Sequence, residues 1–212
     1  LEAIGALCAR RNVLFCVDAI QSVGVLPIDV KKAKIDFLSA DGHKWMCGSE
    51  GAAIFYVAAE KRDLLDVLEI GWTNIERQGK FINTSTTLVA GGRRFEAGSL
   101  NTNGVYGLRA AIDLLHEIGI DVIRERAIAV ATQLADGLES IGWNVASPRP
   151  IASPIIGATP PTVEKSILWW HRQLEEQPIC SAPGEGLVRS SRHFYNDESD
   201  VGRVIDVLKQ LQ

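Results

Sequence analysis

Four short segments carry side chains whose types and placement could do chemistry. Asp18 and Gln21, in DAIQ, follow the apolar run VLFCVDA (13–19). An acid at the C-terminal end of a buried strand stands where α/β sheets make ligand contacts, though such an Asp can equally cap the next turn. Lys44 follows a second apolar run, IDFLSAD (35–41), and lies between His43 and Trp45-Met46, ahead of Cys47-Gly48 and Gly51. Apolar, glycine-rich surroundings desolvate an amine and favour its neutral, nucleophilic form; a lysine without them is a solvated charge. RFEAGSLN (94–101) leads into a helix and offers backbone N–H groups and the Ser99 hydroxyl to a phosphate. Arg189, in VRSSRHFYN (188–196), is either a fork for a carboxylate or an ordinary solvent-facing arginine.

Each feature alone is weak, but together they are coherent. Pyridoxal phosphate chemistry requires an acid for the pyridine nitrogen, a Schiff-base lysine, a phosphate cradle and a clamp for the amino acid's carboxylate. A strand-end acid, a strand-end lysine 26 residues later, a phosphate-type loop and a carboxylate-type arginine supply that set.

These residues need elements to hold them. Leu1, Ile4, Leu7 and Cys8 recur at helical spacing, which predicts an amphipathic helix already under way at residue 1. The runs 13–19, 35–41 and 52–58 read as strands of a sheet buried on both faces, with Cys16 a small core residue. Residues 71–92 are polar and without period, a long excursion. Two strong helical segments follow, broken at Gly119. Strands at 143–146, 155–158 and 187–191 then alternate with helices at 162–177 and from an Asp197 cap to about 210. Trp169, Trp170, Leu168 and Leu174 read as core, His116 and His171 as surface or satisfied polar groups, and Arg124, Glu125 and Arg126 as a solvated face.

Composition bounds the function. The chain has 212 residues, 46% hydrophobic and 23% charged, enough for a buried core and unlike disordered or fibrous chains. A net charge of −4 argues against an electrostatic grip on nucleic acid or anionic membrane. No apolar run is long enough to span a bilayer. The four cysteines (8, 16, 47, 180) have no zinc spacing, and their pattern suits a reducing compartment, the cytoplasm. No metal site is expected.

DAIQ, SADGHKW, RFEAGSLNTNG and RSSRHFYN resemble, in order and spacing, the class V aminotransferase family of fold type I, which includes cysteine desulfurases, selenocysteine lyases, kynureninases and isopenicillin N epimerase-like proteins. The resemblance covers essentially the whole chain. It implies an α/β fold: residues 1–102 the C-terminal part of a cofactor-binding large domain, mainly a parallel sheet with helices, then residues 103–212 a linking helix and a small α+β domain. It implies that Asp18 keeps the pyridine nitrogen protonated, Gln21 bonds the phenolic oxygen, Lys44 forms the Schiff base and moves the α-proton, and His43 contacts the phosphate. Ser99 would reach the phosphate of a neighbouring subunit's cofactor, making the active unit a homodimer. Arg189 would bind the substrate's α-carboxylate.

Two departures shape the reading. Asp41 stands where many members have Ser, and a carboxylate there repels phosphate, so Asp41 is expected to turn onto backbone N–H groups. Only CSAPGEGLV links Cys180 to Arg189, too short for the desulfurases' extended cysteine loop, and Cys180 reads as a strand end. The expected function is a pyridoxal-phosphate enzyme on an amino acid, aminotransferase- or epimerase-like. Cysteine desulfurase or selenocysteine lyase is the alternative within the enzymes, and a truncated scaffold or dimerisation module the alternative outside them. Family members run to about twice this length, so the chain is expected to be a fragment with exposed apolar faces and open sheet edges; were it complete, its cofactor affinity would be poor.

Overall fold

The structure, a computed structural model, describes residues 1–76 and 86–212. The chain divides into two compact units, Leu1–Glu117 and Ile118–Gln212. In the first, helix α1 (Glu2–Arg11) carries Glu2 in its first turn and Arg10 and Arg11 in its last, matching the helix dipole. It stops at Asn12, whose left-handed φ of 51° lets the amides of Asn12 and Val13 return to the carbonyls of Ala9 and Cys8. The apolar stripe predicted for this helix faces outward: Leu1, Ile4 and Leu7 are all exposed, and only Gly5 is buried. Gly5 is the contact face because it packs against the Ala33 carbonyl, closer than any side chain would permit.

Three strands follow, β1 (Cys16–Asp18), β2 (Phe37–Asp41) and β3 (Ala53–Val57), ordered β1-β2-β3. β1 runs parallel to β2 with Asp18 opposite Ser39, and β3 runs antiparallel with Ala53 opposite Asp41. Parallel pairing puts the C-terminal ends of β1 and β2 at one end of the sheet, and with them the DAIQ and GHKW segments. β1 is shorter than its apolar run because the Phe15 amide leaves the ladder for the Asp36 carboxylate at 2.8 Å.

The sheet is buried on one face and largely open on the other, against expectation. Leu38 and Ala40 point inward; on the opposite face Phe37 is buried, whereas Ser39, Asp41, Ala53 and Phe55 are exposed. Cys16 is exposed too, not a core residue. Among the described residues no helix covers that face, so alternation reappears in strands that read as continuously apolar. The open face agrees with the expectation for a shortened sheet.

Of the excursion at 71–92, residues 77–85 lie outside the described residues. The flanks form an antiparallel bridge, Ile75 opposite Leu88, with amides of Glu76 and Val89 bonding the carbonyls of Thr87 and Asn74. Helix α2 (Thr102–Ile118) completes the unit and buries Leu108 and Leu115.

The second unit holds α3 (Ile120–Ser140), β4 (Asn144–Val145), β5 (Ile155–Thr159), α4 (Ile167–Glu176), β6 (Ala182–Gly184), β7 (Leu187–Ser191) and α5 (Glu198–Leu211). Its four strands are antiparallel in the order β4-β5-β7-β6. Leu134 and Leu138 of α3 and Val204 and Leu208 of α5 close over Ile156 and Val188. Trp170 lies edge-on to both Trp143 and Trp169 at 5.1 Å. Ser166 caps α4, and Asp197 caps α5 through a reciprocal box with Asp200.

Smaller expectations divide. Trp170 and Leu174 are core and Trp169 packs against it, but Leu168 is exposed because it falls on the outer side of α4. His116 is exposed, and His171 is satisfied by Ser181 Oγ at 2.9 Å. Arg124 and Glu125 are solvated, whereas Arg126 pairs with Glu198 at 2.9 Å, which raises the guanidinium's pKa. Cys180 ends no strand; it lies exposed just before β6.

Candidate active site

The loops after β1 and β2 are fastened to each other. Gly24, at φ 100°, lies against the backbone of the second loop: a Cβ there would sit 2.3 Å from the Trp45 carbonyl oxygen and 2.7 Å from the Met46 nitrogen. Only glycine allows that approach. Beside it, the Trp45 indole N–H donates to Gln21 Oε1 at 2.9 Å. Thus residues 18–21 and 43–45, distant in sequence, meet at the end of the sheet.

The turn carrying Lys44 is tight. The Gly42 amide bonds the Ala52 carbonyl, the Gly48 amide bonds the Gly42 carbonyl, and the Cys47 amide bonds the Lys44 carbonyl. Gly42 and Gly48 leave room for α2: a Cβ on either would lie within 3 Å of Leu108 Cδ1. Trp45 and Met46 are 5% and 2% exposed and anchor the turn.

That anchoring corrects the expected setting of Lys44. The apolar residues beside it point inward, so the amine is exposed rather than desolvated. Lys44 forms no ion pair or side-chain hydrogen bond with the described residues. Cys47 is exposed as a residue, yet partial burial of its sulfur, which reaches toward the Trp45 carbonyl at 3.9 Å, pushes the thiol's pKa up and disfavours a thiolate.

Asp18 caps its turn, one of the two roles the sequence allowed. Its Oδ1 accepts the Ile20 amide at 3.0 Å, a turn cap, while Oδ2 takes no bond from the described residues. Gln21 is half-buried, and its oxygen is committed to Trp45. His43 is exposed. Asp41 does not turn onto backbone amides: as the last residue of β2 it shares the open face with Ser39 and stays in solvent. Ladder geometry, not local charge, fixes its direction.

Ser99 is exposed in a loop between a 3-10 turn (Gly92–Phe95) and α2. Arg94 is occupied, its Nη1 pairing with Asp63 at 2.9 Å, so it is not free for a phosphate. The loop is held by residues the sequence reading passed over. Thr73 Oγ1 donates to the carbonyl of Glu96, and fully buried Asn74 gives Nδ2 to the carbonyls of Glu69 and Arg94 and accepts the Gly71 amide. Asn101 accepts the Gly104 amide as the α2 cap and gives Nδ2 to the Gly51 carbonyl at 3.1 Å. An Asn immediately before Thr102 is a cap signal; nothing in the polar run marks Asn74.

Arg189 belongs to the second unit. On β7 it stands opposite Gly157 and Ala182, half-buried on the face away from Val188, and its guanidinium bonds none of the described residues. Among the described residues no cluster of His, Cys, Asp or Glu could hold a metal ion, and no helix is long and apolar enough to cross a membrane.

The family described as Aminotransferase class-V matches residues 1–158. A probable cysteine desulfurase of Pyrococcus abyssi is 31% identical over all of this chain and 55% of its own length. Isopenicillin N epimerase of Amycolatopsis lactamdurans is 28% identical over 95% of this chain and 53% of its own. Among solved structures, a mutant of a cystine C–S lyase with glycine covalently linked to its pyridoxal phosphate cofactor superposes with a TM-score of 0.92 at 24% identity. It covers 99% of this chain, which spans 56% of that one. The chain thus has their α/β fold and about half the length of the curated relatives it matches.

Proposed function

Because this chain belongs to the class V aminotransferase family, a family of pyridoxal-phosphate enzymes, we propose that it carries the lysine half of a pyridoxal-phosphate site acting on an amino acid. One observation carries the reading. The Lys44 amine, unpaired among the described residues, stands on a turn after β2, locked through Trp45 to the loop that begins at Asp18 at the same end of the sheet. The groups beside and beyond it fit the cofactor in polarity. Gln21, His43 and Ser99 can donate toward oxygen anions, Arg189 can donate toward a carboxylate, and Asp18 Oδ2 can accept from a protonated ring nitrogen.

When bound, pyridoxal phosphate supplies an aldehyde for amine capture and an electron-withdrawing ring that acidifies bonds at an amino acid's α-carbon. Lys44 would hold the aldehyde carbon, and its free amine would carry a proton from and to the substrate's α-carbon. Asp18 would accept from the protonated ring nitrogen, its carboxylate aimed by the Ile20 amide. Gln21 would orient the phenolic oxygen, and His43 the phosphate. We assign Ser99 to the phosphate of a neighbouring copy's cofactor, which makes the active unit a homodimer, and Arg189 to the substrate's carboxylate. Cysteines outside any disulfide suit a reducing compartment such as the cytoplasm.

Aminotransferase- or epimerase-like chemistry is favoured over desulfuration because the stretch between Cys180 and Arg189 is used up in the β6–β7 hairpin. Desulfuration is kept as a second reading on the identity to the Pyrococcus protein. Sulfide release from cysteine that is lost in Cys180→Ala would select it.

The test is covalent labelling. Pyridoxal phosphate followed by borohydride should fix the cofactor on Lys44, and Lys44→Ala should abolish the label with circular dichroism unchanged. No label on the wild-type chain would leave a scaffold without cofactor chemistry.

A further inference from the structure

The Trp45 indole fixes which end of the Gln21 amide it meets. An indole N–H is a donor only, so the partner 2.9 Å away must be the amide oxygen of Gln21 and not its nitrogen. The amide is thereby held one way round, its NH2 group the part left to face a ligand. A glutamine without such a tie can turn through 180° and offer either end. This one turns its NH2 group outward, so it favours an acceptor oxygen over a donor.

The indole is well placed to impose that choice. Trp45 is 5% exposed, and its backbone is pinned by Gly24, where no side chain fits. The hydrogen bond is also specific to this site. Trp143 and Trp170 are as deeply buried, yet their indole N–H groups find no acceptor among the described residues. Burial of an indole here does not by itself bring a partner.

We infer that Trp45 is a positioning residue that fixes the Gln21 amide with its NH2 outward, giving the site a built-in preference for an anionic oxygen on the ligand's ring. The inference rests on the pyridoxal phosphate reading, in which that oxygen is the phenolic one. A Trp45→Phe or Trp45→Leu change would fill most of the space and leave the amide able to rotate, so half of its orientations would present oxygen to oxygen.

The experiment has two readouts. In the wild-type chain the Trp45 indole proton should exchange slowly with solvent, and Gln21→Leu should remove that protection about three- to tenfold, the range of one hydrogen bond. Protection unchanged in Gln21→Leu overturns the inference whether or not cofactor binds. With pyridoxal phosphate, Trp45→Phe should weaken binding by about the same three- to tenfold and displace the spectral pH titration of the lysine-bound cofactor upward, because a donor to the phenolic oxygen is lost. Gln21→Ala should do the same, and the double variant should be no worse than Gln21→Ala alone. Trp45→Phe with wild-type affinity and titration, or a fully additive double variant, sinks the inference while the cofactor reading stands. A wild-type chain that takes no borohydride label defeats the cofactor reading itself.

Discussion

The two units solve opposite problems. The second closes a core within itself: Trp170 and Leu134 are wholly buried, α4 and α5 are capped by their own side chains, and four strands pair antiparallel. The first leaves side chains that could do chemistry in solvent. Lys44, Asp41 and Ser99 are exposed, and one sheet face presents Phe55 at 57% exposure. The first unit also buries apolar side chains, Val25, Ile35, Leu38 and Met46 among them, but its loops are joined to one another by backbone proximity at glycines and a few polar ties, Trp45 to Gln21 and Asn101 to Gly51.

The largest effect should come from the second unit. Trp170→Ala should cost ~3–5 kcal/mol, the range for deleting a large buried aromatic. Amide exchange should show the loss concentrated in α3 and β5. Trp170→Phe should cost much less, because the indole N–H has no acceptor among the described residues to lose. Equal loss of protection in β2 would mean the units unfold as one, and the contrast drawn between them would fail.

Next is the first unit's equivalent. Gly24→Ala forces a Cβ onto the Trp45 carbonyl and an unfavourable φ, which should cost ~2–3 kcal/mol. Unlike the Trp170 variant, it should also reduce cofactor labelling of Lys44, since the two site loops must part. Labelling at wild-type efficiency would show that the loops need not be locked.

How much of this was legible in the sequence follows the same division. Asp197 announced its helix because capping is local, and the strand runs announced three strands because their residues are apolar throughout. The candidate site segments stand out because their residue types fall at strand ends and helix entrances. What escaped depends on pairs distant in sequence. Nothing in GHKW says that Trp45 will bond Gln21, and nothing in the polar run says that Asn74 will be fully buried. The burial of both sheet faces was misread because composition shows what a strand could bury, not what covers it. Lys44 was expected to be desolvated by neighbours that instead point away from it.

A smaller effect reads the charge of a cap in the second unit. The Ser199 hydroxyl, then the amides of Asp200 and Ser199, hold the Asp197 carboxyl below the usual range. A depressed folded-state value contributes stability above the unfolded value of about 3.9 and loses it as pH falls through the folded one. Asp197→Asn keeps a capping oxygen but not the charge, so its stability should vary less than the wild type's below about pH 4. Parallel acid-unfolding curves would remove the charge from the account of the cap.

The smallest effect sharpens the comparison most. Phe55→Ser replaces a large aromatic in the middle of a strand, a change that in a covered sheet would rank with Trp170→Ala. Here it should alter the stability of this chain by no more than ~0.5 kcal/mol, because more than half of the residue's surface already stands in water. Urea titration of the variant decides it. A loss of several kcal/mol would mean that the face is covered in solution, by another copy or by another part of the fold, and analytical ultracentrifugation would tell a self-associating face from one closed within the chain. Near-neutrality would leave the first unit as a sheet with that face open to solvent.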